Sequence, residues 1–174
     1  MKRQIHKYLI KPNGPFPNNE SLQVLHYINI LNVPRLFPAY VIKRLFAKNG
    51  WTNNWKGGIY EYDHYHSNTH EAMAVIKGAT TLLLGGRGGK KLVISRGDVI
   101  IIPAGVAHCT LRKENDVVCI GGYPQGKDFD MKYGHPGERP QADHNIAALG
   151  IPQMDPVFGS EKGLVDAWKK PDQP

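Results

Sequence analysis

The chain has 174 residues, enough for one domain whose core needs no disulfides. Lys plus Arg outnumber Asp plus Glu, 22 to 15, for a formal charge of +7, but the cations are dispersed in pairs such as Lys43-Arg44 and Lys90-Lys91. No basic run makes a nucleic-acid patch and no apolar run is long enough to span a bilayer. The N-terminus MKRQIHKYLI lacks the apolar stretch of a signal peptide, so the expectation is a cytoplasmic protein with neither nucleic acid nor membrane as partner.

Pro12, Gly14, Pro15 and Pro17 predict an irregular segment over 1–20, with a short edge strand at 7–10. Leu22 to Ile30 reads as a strand. In 34–48, Leu36, Ala39, Tyr40, Lys43, Phe46 and Ala47 follow a helical spacing, with Pro38 in the first turn and Gly50 as the stop. From Trp51 the character is β. Candidate strands are 55–66, 71–76, 80–84, 91–95, 99–102, 108–111 and 117–121, separated by Gly-rich turns. The Gly85-Gly86-Arg87-Gly88-Gly89 stretch leads into a strand and lacks Gly-Lys-Ser/Thr, so it is a hairpin turn rather than a phosphate loop. Beyond Tyr123, Pro124, Pro136, Pro140, Pro152 and Pro156 punctuate an ordered, mostly irregular tail. There 146–149, 157–158 and 164–168 can dock on the barrel, and 165–169 can form one helical turn. Short strands at regular spacing predict a sandwich or barrel.

His64, His66, His70 and Glu71 fall within eight positions. If 55–66 is one strand, His64 and His66 share a face and can grip one ion, with Tyr60 and Tyr62 on the same inward face. Each tyrosine is then a candidate acid or hydrogen-bond donor, or a plain core aromatic. The third ligand is Glu71, which shares its face with Met73 and Val75, or His70, if that residue still lies in the turn. His108 follows the turn 103–105 and supplies a fourth. Histidine with carboxylate suits one divalent transition metal: Fe, Mn, Ni, Co or Zn. Cys109 and Cys119 fit no Cys-rich metal or disulfide framework, in keeping with a reducing compartment. Trp51 and Trp55 either anchor the helix or close a cavity mouth.

These residues carry a resemblance. Gly58, His64, His66, Glu71 and Gly78 fit G-x5-HxH-x3,4-E-x6-G, and Gly97, Pro103, Gly105 and His108 fit G-x5-PxG-x2-H-x3-N, with Arg112 in place of the final Asn. The chain therefore resembles the cupin superfamily. Phe16-Pro17-Asn18-Asn19, the HYHSNTHE run and Asp155-Pro156-Val157-Phe158-Gly159 make it similar to the bacterial YjlB-like cupins over most of its length. The resemblance implies a mainly β fold, the double-stranded β-helix or RmlC-like jelly-roll barrel, with one N-terminal helix and a long irregular C-terminal tail. It implies a single domain over 1–174, with decoration at 1–54, the barrel core at 55–123 and a wrapping tail at 124–174. It also implies a homodimer formed through an edge strand, Leu22 to Ile30. In some members a His just before the Glu is the ligand, which keeps His70 beside Glu71. Fold alone does not fix the reaction. The expectation is a metalloenzyme acting on a small organic molecule, of dioxygenase or isomerase type. The alternative is a non-catalytic module that binds or senses a metal or small molecule.

Overall fold

The computed structural model describes residues 3–169; the two ends of the expected domain, 1–2 and 170–174, lie outside the described residues. The elements run β1 (Gln4–Ile10), β2 (Asn19–Ile28), α1 (Pro38–Lys48), β3 (Trp51–Gly57), β4 (Glu71–Leu84), β5 (Lys90–Ser95), β6 (Val99–Ile102), β7 (His108–Thr110), β8 (Val117–Pro124), α2 (Gln141–Ala148) and α3 (Leu164–Ala167). All pairings between these strands are antiparallel. The larger sheet has the order β1-β2-β6-β4-β8-β3, and β5 and β7 flank the far half of β4.

β4 joins the two halves of this barrel-like fold. Its first residues, Glu71 to Ala74, pair with β6 and β8; its last, Leu82 to Leu84, pair with β5 and β7. The change of sheet falls at a bulge after Val75 and at Gly78, whose φ is +75°. A Cβ on Gly78 would overlap the Asp116 carbonyl oxygen, so only glycine fits the bend. The expected strands 71–76 and 80–84 are thus one bent strand.

Alternation along the central strands sorts two cores. Met73, Val75, Ile100 and Ile102 face the interior with Leu82, Leu84, Leu92 and Ile94. Ala72, Ala74, Val99 and Ile101 face outward, where Ile42 and Phe46 of α1 and Leu164 and Trp168 of the tail cover them. This is why β6 reads Val-Ile-Ile-Ile: both of its faces are buried. Trp51 belongs to this outer core and donates its indole N–H to the Met154 carbonyl. In α1 the buried residues are Ile42 and Phe46, while Tyr40, expected on the packed face, is exposed.

Several expected boundaries are corrected. The edge strand expected over 7–10 is longer, β1 spanning Gln4–Ile10, and β2 starts already at Asn19, which leaves 11–18, with its prolines, irregular as expected. β2 lies between β1 and β6, so Leu22 to Ile30 is interior and the edges of the sheet are β1 and β3. The strand expected over 55–66 ends at Gly57, because the chain turns at Gly58 to pass against Glu114; a Cβ there would overlap the Glu114 carbonyl oxygen. In the tail, α3 is the helical turn expected over 165–169, displaced by one or two residues, while α2 falls where an irregular stretch was expected. No helix is long and apolar enough to cross a membrane among the described residues.

Candidate metal centre

After Gly58 the chain runs irregularly beside β7. The N–H of Thr110 donates to the Tyr60 carbonyl at 2.9 Å, and His64 and His108 exchange backbone hydrogen bonds of 3.3 and 2.9 Å. The N–H of Gly105 then donates to the His66 carbonyl at 2.8 Å, so the turn 103–105 closes on the ligand segment. These bonds place the His64 and His108 rings 4.2 Å apart between centroids, with His66 within 6 Å of both. One nitrogen from each of the three buried rings lies within 4.8 Å of the others.

Which nitrogen faces inward is fixed by chemistry. Nδ1 of His64 bonds the Tyr62 carbonyl at 3.2 Å, that of His66 the Asp130 carbonyl at 2.6 Å and that of His108 the Val106 carbonyl at 3.1 Å. A carbonyl only accepts, so each Nδ1 carries the proton and each Nε2 is the inward-facing nitrogen. Backbone partners of this kind hold imidazoles in the orientation a metal needs.

Glu71 completes the group. It opens β4 in phase with Met73 and Val75, so its side chain enters the interior. Its Oε2 lies 3.3 Å from His108 Nε2 and 3.5 Å from His66 Nε2. Its Oε1 accepts from the Trp55 indole at 3.1 Å and the Tyr123 hydroxyl at 2.9 Å. Burial raises the Glu71 carboxyl, but hydrogen bonding to His108 and His66 outweighs that and holds it well below the usual range. Burial lowers His66, yet its bonds to Glu71 and Asp130 leave it raised. Burial and the neighbouring His108 push His64 down to about 3. A buried carboxylate beside two of the three imidazole Nε2 atoms favours a cation, and a divalent ion would replace the protons it now draws. Three nitrogens and one oxygen from a neutral-plus-anionic set fit a divalent transition metal.

His70, kept open as a ligand, is not brought to this centre. One position before Glu71, it faces the other side of the strand. Its Nδ1 accepts from the Ala104 N–H at 3.0 Å, its Nε2 donates to the Gly150 carbonyl at 3.3 Å, and its ring packs 5.0 Å from Trp168. Burial pushes it down to about 4, which keeps it neutral. Tyr60 and Tyr62 do not line a shared inward face either, since the strand that would have put them there stops at Gly57. They are 43% and 48% exposed and stack on each other at 4.9 Å, with their rings edged against that of His64 at 5.2 and 5.8 Å. Tyr60 reaches the wall of the cavity and Tyr62 does not.

The site lines the buried part of a cavity of about 330 Å³, whose exposed lining residues are Lys56, Tyr60 and Phe129, with Glu114 half-buried beside them. Three contributors escaped the sequence reading. Tyr123, fully buried, fixes Glu71 from near the end of β8, and nothing in its local sequence marks it. Phe129 stacks on Tyr123 at 4.8 Å and edges His66 at 5.0 Å. Asp130 grips the ligand segment: its carboxylate accepts from the Ser67 N–H at 2.7 Å and the Ser67 hydroxyl at 2.5 Å, while its carbonyl takes His66 Nδ1.

The cupin domain model matches residues 52–120, which span β3 to β8 and include every residue of the centre except the Tyr123–Asp130 supports. Among solved structures the chain is similar to the acireductone dioxygenase of Bacillus anthracis with cadmium in its active centre. Identity there is 19% over 49% of this chain and 58% of that one, so little more than half of that protein is spanned, with a TM-score of 0.36. It is also similar to a DUF861 family protein of Thermotoga maritima, at 23% identity over 53% of this chain and 92% of that one, with a TM-score of 0.32. The uncharacterized protein YjlB of Bacillus subtilis (strain 168) is 34% identical over 170 residues, 98% of this chain and 100% of that protein. The likeness runs through barrel and tail alike, and the chain belongs to the cupin family beside YjlB.

Proposed function

We propose that this cupin is a mononuclear metalloenzyme that acts on a small organic molecule by an oxidoreductase or isomerase reaction in the cytoplasm. The observation that supports this best is the aim of the ligands: the Nε2 edges of His64, His66 and His108 and Oε2 of Glu71 converge at the closed end of a cavity that opens to solvent. These four residues would hold one divalent ion (Fe, Mn, Ni, Co or Zn), which would supply Lewis acidity toward a substrate oxygen. The protein's own part is to position and to exclude water. Tyr123 and Trp55 orient the Glu71 carboxylate, and Phe129 and Met131 wall the cavity. Tyr60, at the open side, is the one of the two candidate tyrosines that can meet a bound molecule.

The alternative of a binding or sensing module has its own support. Glu71 Oε1, the Tyr123 hydroxyl and the Trp55 indole are committed to one another, which leaves none of them free to move a substrate proton. As homodimer edge, β1 offers Ile5 and Leu9, both exposed, in place of the interior β2.

Water proton relaxation on the Mn(II)-loaded chain tests the enzyme reading. Four protein ligands on a six-coordinate ion leave two open positions, so the relaxivity should carry a contribution from exchangeable water. A bound Mn(II) with no exchangeable water would rule the enzyme out.

A further inference from the structure

The geometry points to a flat, ring-bearing ligand for this cavity, with oxygen donors at one end and few other polar groups; the inference rests on the metal-site reading above. Its first support is size. A cavity of about 330 Å³ lies at the small end of the ligand-pocket range of roughly 300–1,000 Å³. Its second is the wall, built from Ile59, Met73, Phe129, Met131 and the rings of Trp55 and Tyr123.

The decisive observation is where the polar atoms of the inner wall are spent. The Trp55 N–H is shared between Glu71 Oε1 and the Tyr123 oxygen, and the Tyr123 hydroxyl donates to Glu71. Each histidine Nδ1 is bonded to a backbone carbonyl. On the inner wall, Trp55, Tyr123 and the three histidines have no N–H or O–H left for a ligand beyond the metal-facing edges, and the remaining cavity hydroxyl, that of Tyr60, belongs to an exposed residue. The hydroxyls of a sugar or other polyol buried there would lose water and find no side-chain donor to accept from, which is unfavourable for each one. An aromatic body loses nothing there, and the paired rings Tyr123–Phe129 offer it stacking and edge contacts. Polar substituents are left to the mouth, beside Lys56 and Glu114, where Tyr60 stacks on Tyr62 with their planes only 14° apart.

Three hydroxamates with one chelating head and different bodies test this on the Co(II)-loaded full chain. Benzohydroxamate carries a ring, acetohydroxamate a methyl group and gluconohydroxamate a polyol. Binding is read from the Co(II) visible absorption. The expected result is that benzohydroxamate binds at least tenfold more tightly than acetohydroxamate, and gluconohydroxamate no more tightly than acetohydroxamate. Phe129→Ala, with near-ultraviolet circular dichroism as the fold control, should narrow the benzohydroxamate-to-acetohydroxamate ratio at least threefold. Equal affinities, a preference for gluconohydroxamate, or a ratio unmoved by Phe129→Ala would overturn the ligand class while the metal site stands. Failure to bind Co(II), or no spectral response to any of the three, would overturn the metal reading and the ligand class together.

Discussion

His70 and Glu71 are neighbours in the chain with opposite fates, and strand phase decides between them. Glu71 points inward with Met73 and Val75; His70 points out to Trp168 and spends both ring nitrogens on backbone groups. His70→Ala should therefore leave metal affinity within about threefold and lower stability by about 2–3 kcal/mol, because the Ala104 N–H and Gly150 carbonyl lose their partner. Tyr123→Phe should do the reverse. It removes one of two donors that aim Glu71, so metal affinity should fall by roughly 10–100-fold, the usual cost of losing such a support. Metal titration and thermal denaturation of both variants check the pair. The phase of Glu71 was legible in the sequence, since Met73 and Val75 mark the buried face. The role of Tyr123 was not, because it acts through a residue 52 positions away.

At the scale of elements, most strands were legible because apolar alternation and glycine turns are local. Their ends were less so. The strand expected over 55–66 stops at Gly57 because of Glu114, and β1 is longer than the expected 7–10 because β2 pairs with it along its length. The tail shows the same limit. Asp155 is fully buried and accepts from the Tyr27 hydroxyl, 128 positions away, at 2.5 Å, and from the N–H groups of Val157, Phe158 and Leu164. Burial and the Asp155 carboxylate drive the Tyr27 hydroxyl far above its ordinary pKa, so it stays protonated and donates. Asp155→Ala should cost about 3–5 kcal/mol in urea denaturation, since two buried and two half-buried donors lose one acceptor. A loss below about 1 kcal/mol would mean that the tail does not lock the outer core through this residue.

For the whole molecule, barrel and tail are one construction. The outward rows of β4 and β6 are as apolar as the inward rows, and α1, the tail and the segment around Leu31 help to bury them. The same tail reaches the centre through the Asp130 loop, which takes Nδ1 of His66 and both donors of Ser67. The candidate ligands come from three places: the irregular segment at His64 and His66, the start of β4 at Glu71, and β7 at His108. His64, His66 and Glu71 were visible because ligand-type side chains crowd within eight positions, and His108 because it follows the turn 103–105 in a cupin-like motif. The supports from the tail obey no such spacing. Elemental analysis of the purified chain after loading with each of Fe(II), Mn(II), Ni(II), Co(II) and Zn(II) and exhaustive dialysis tests the centre most directly. The account predicts about one ion per chain for at least one of these metals, and its loss in a chain carrying His64→Ala, His66→Ala and His108→Ala. No retained metal in the unsubstituted chain, or equal retention in the folded triple variant, would contradict it.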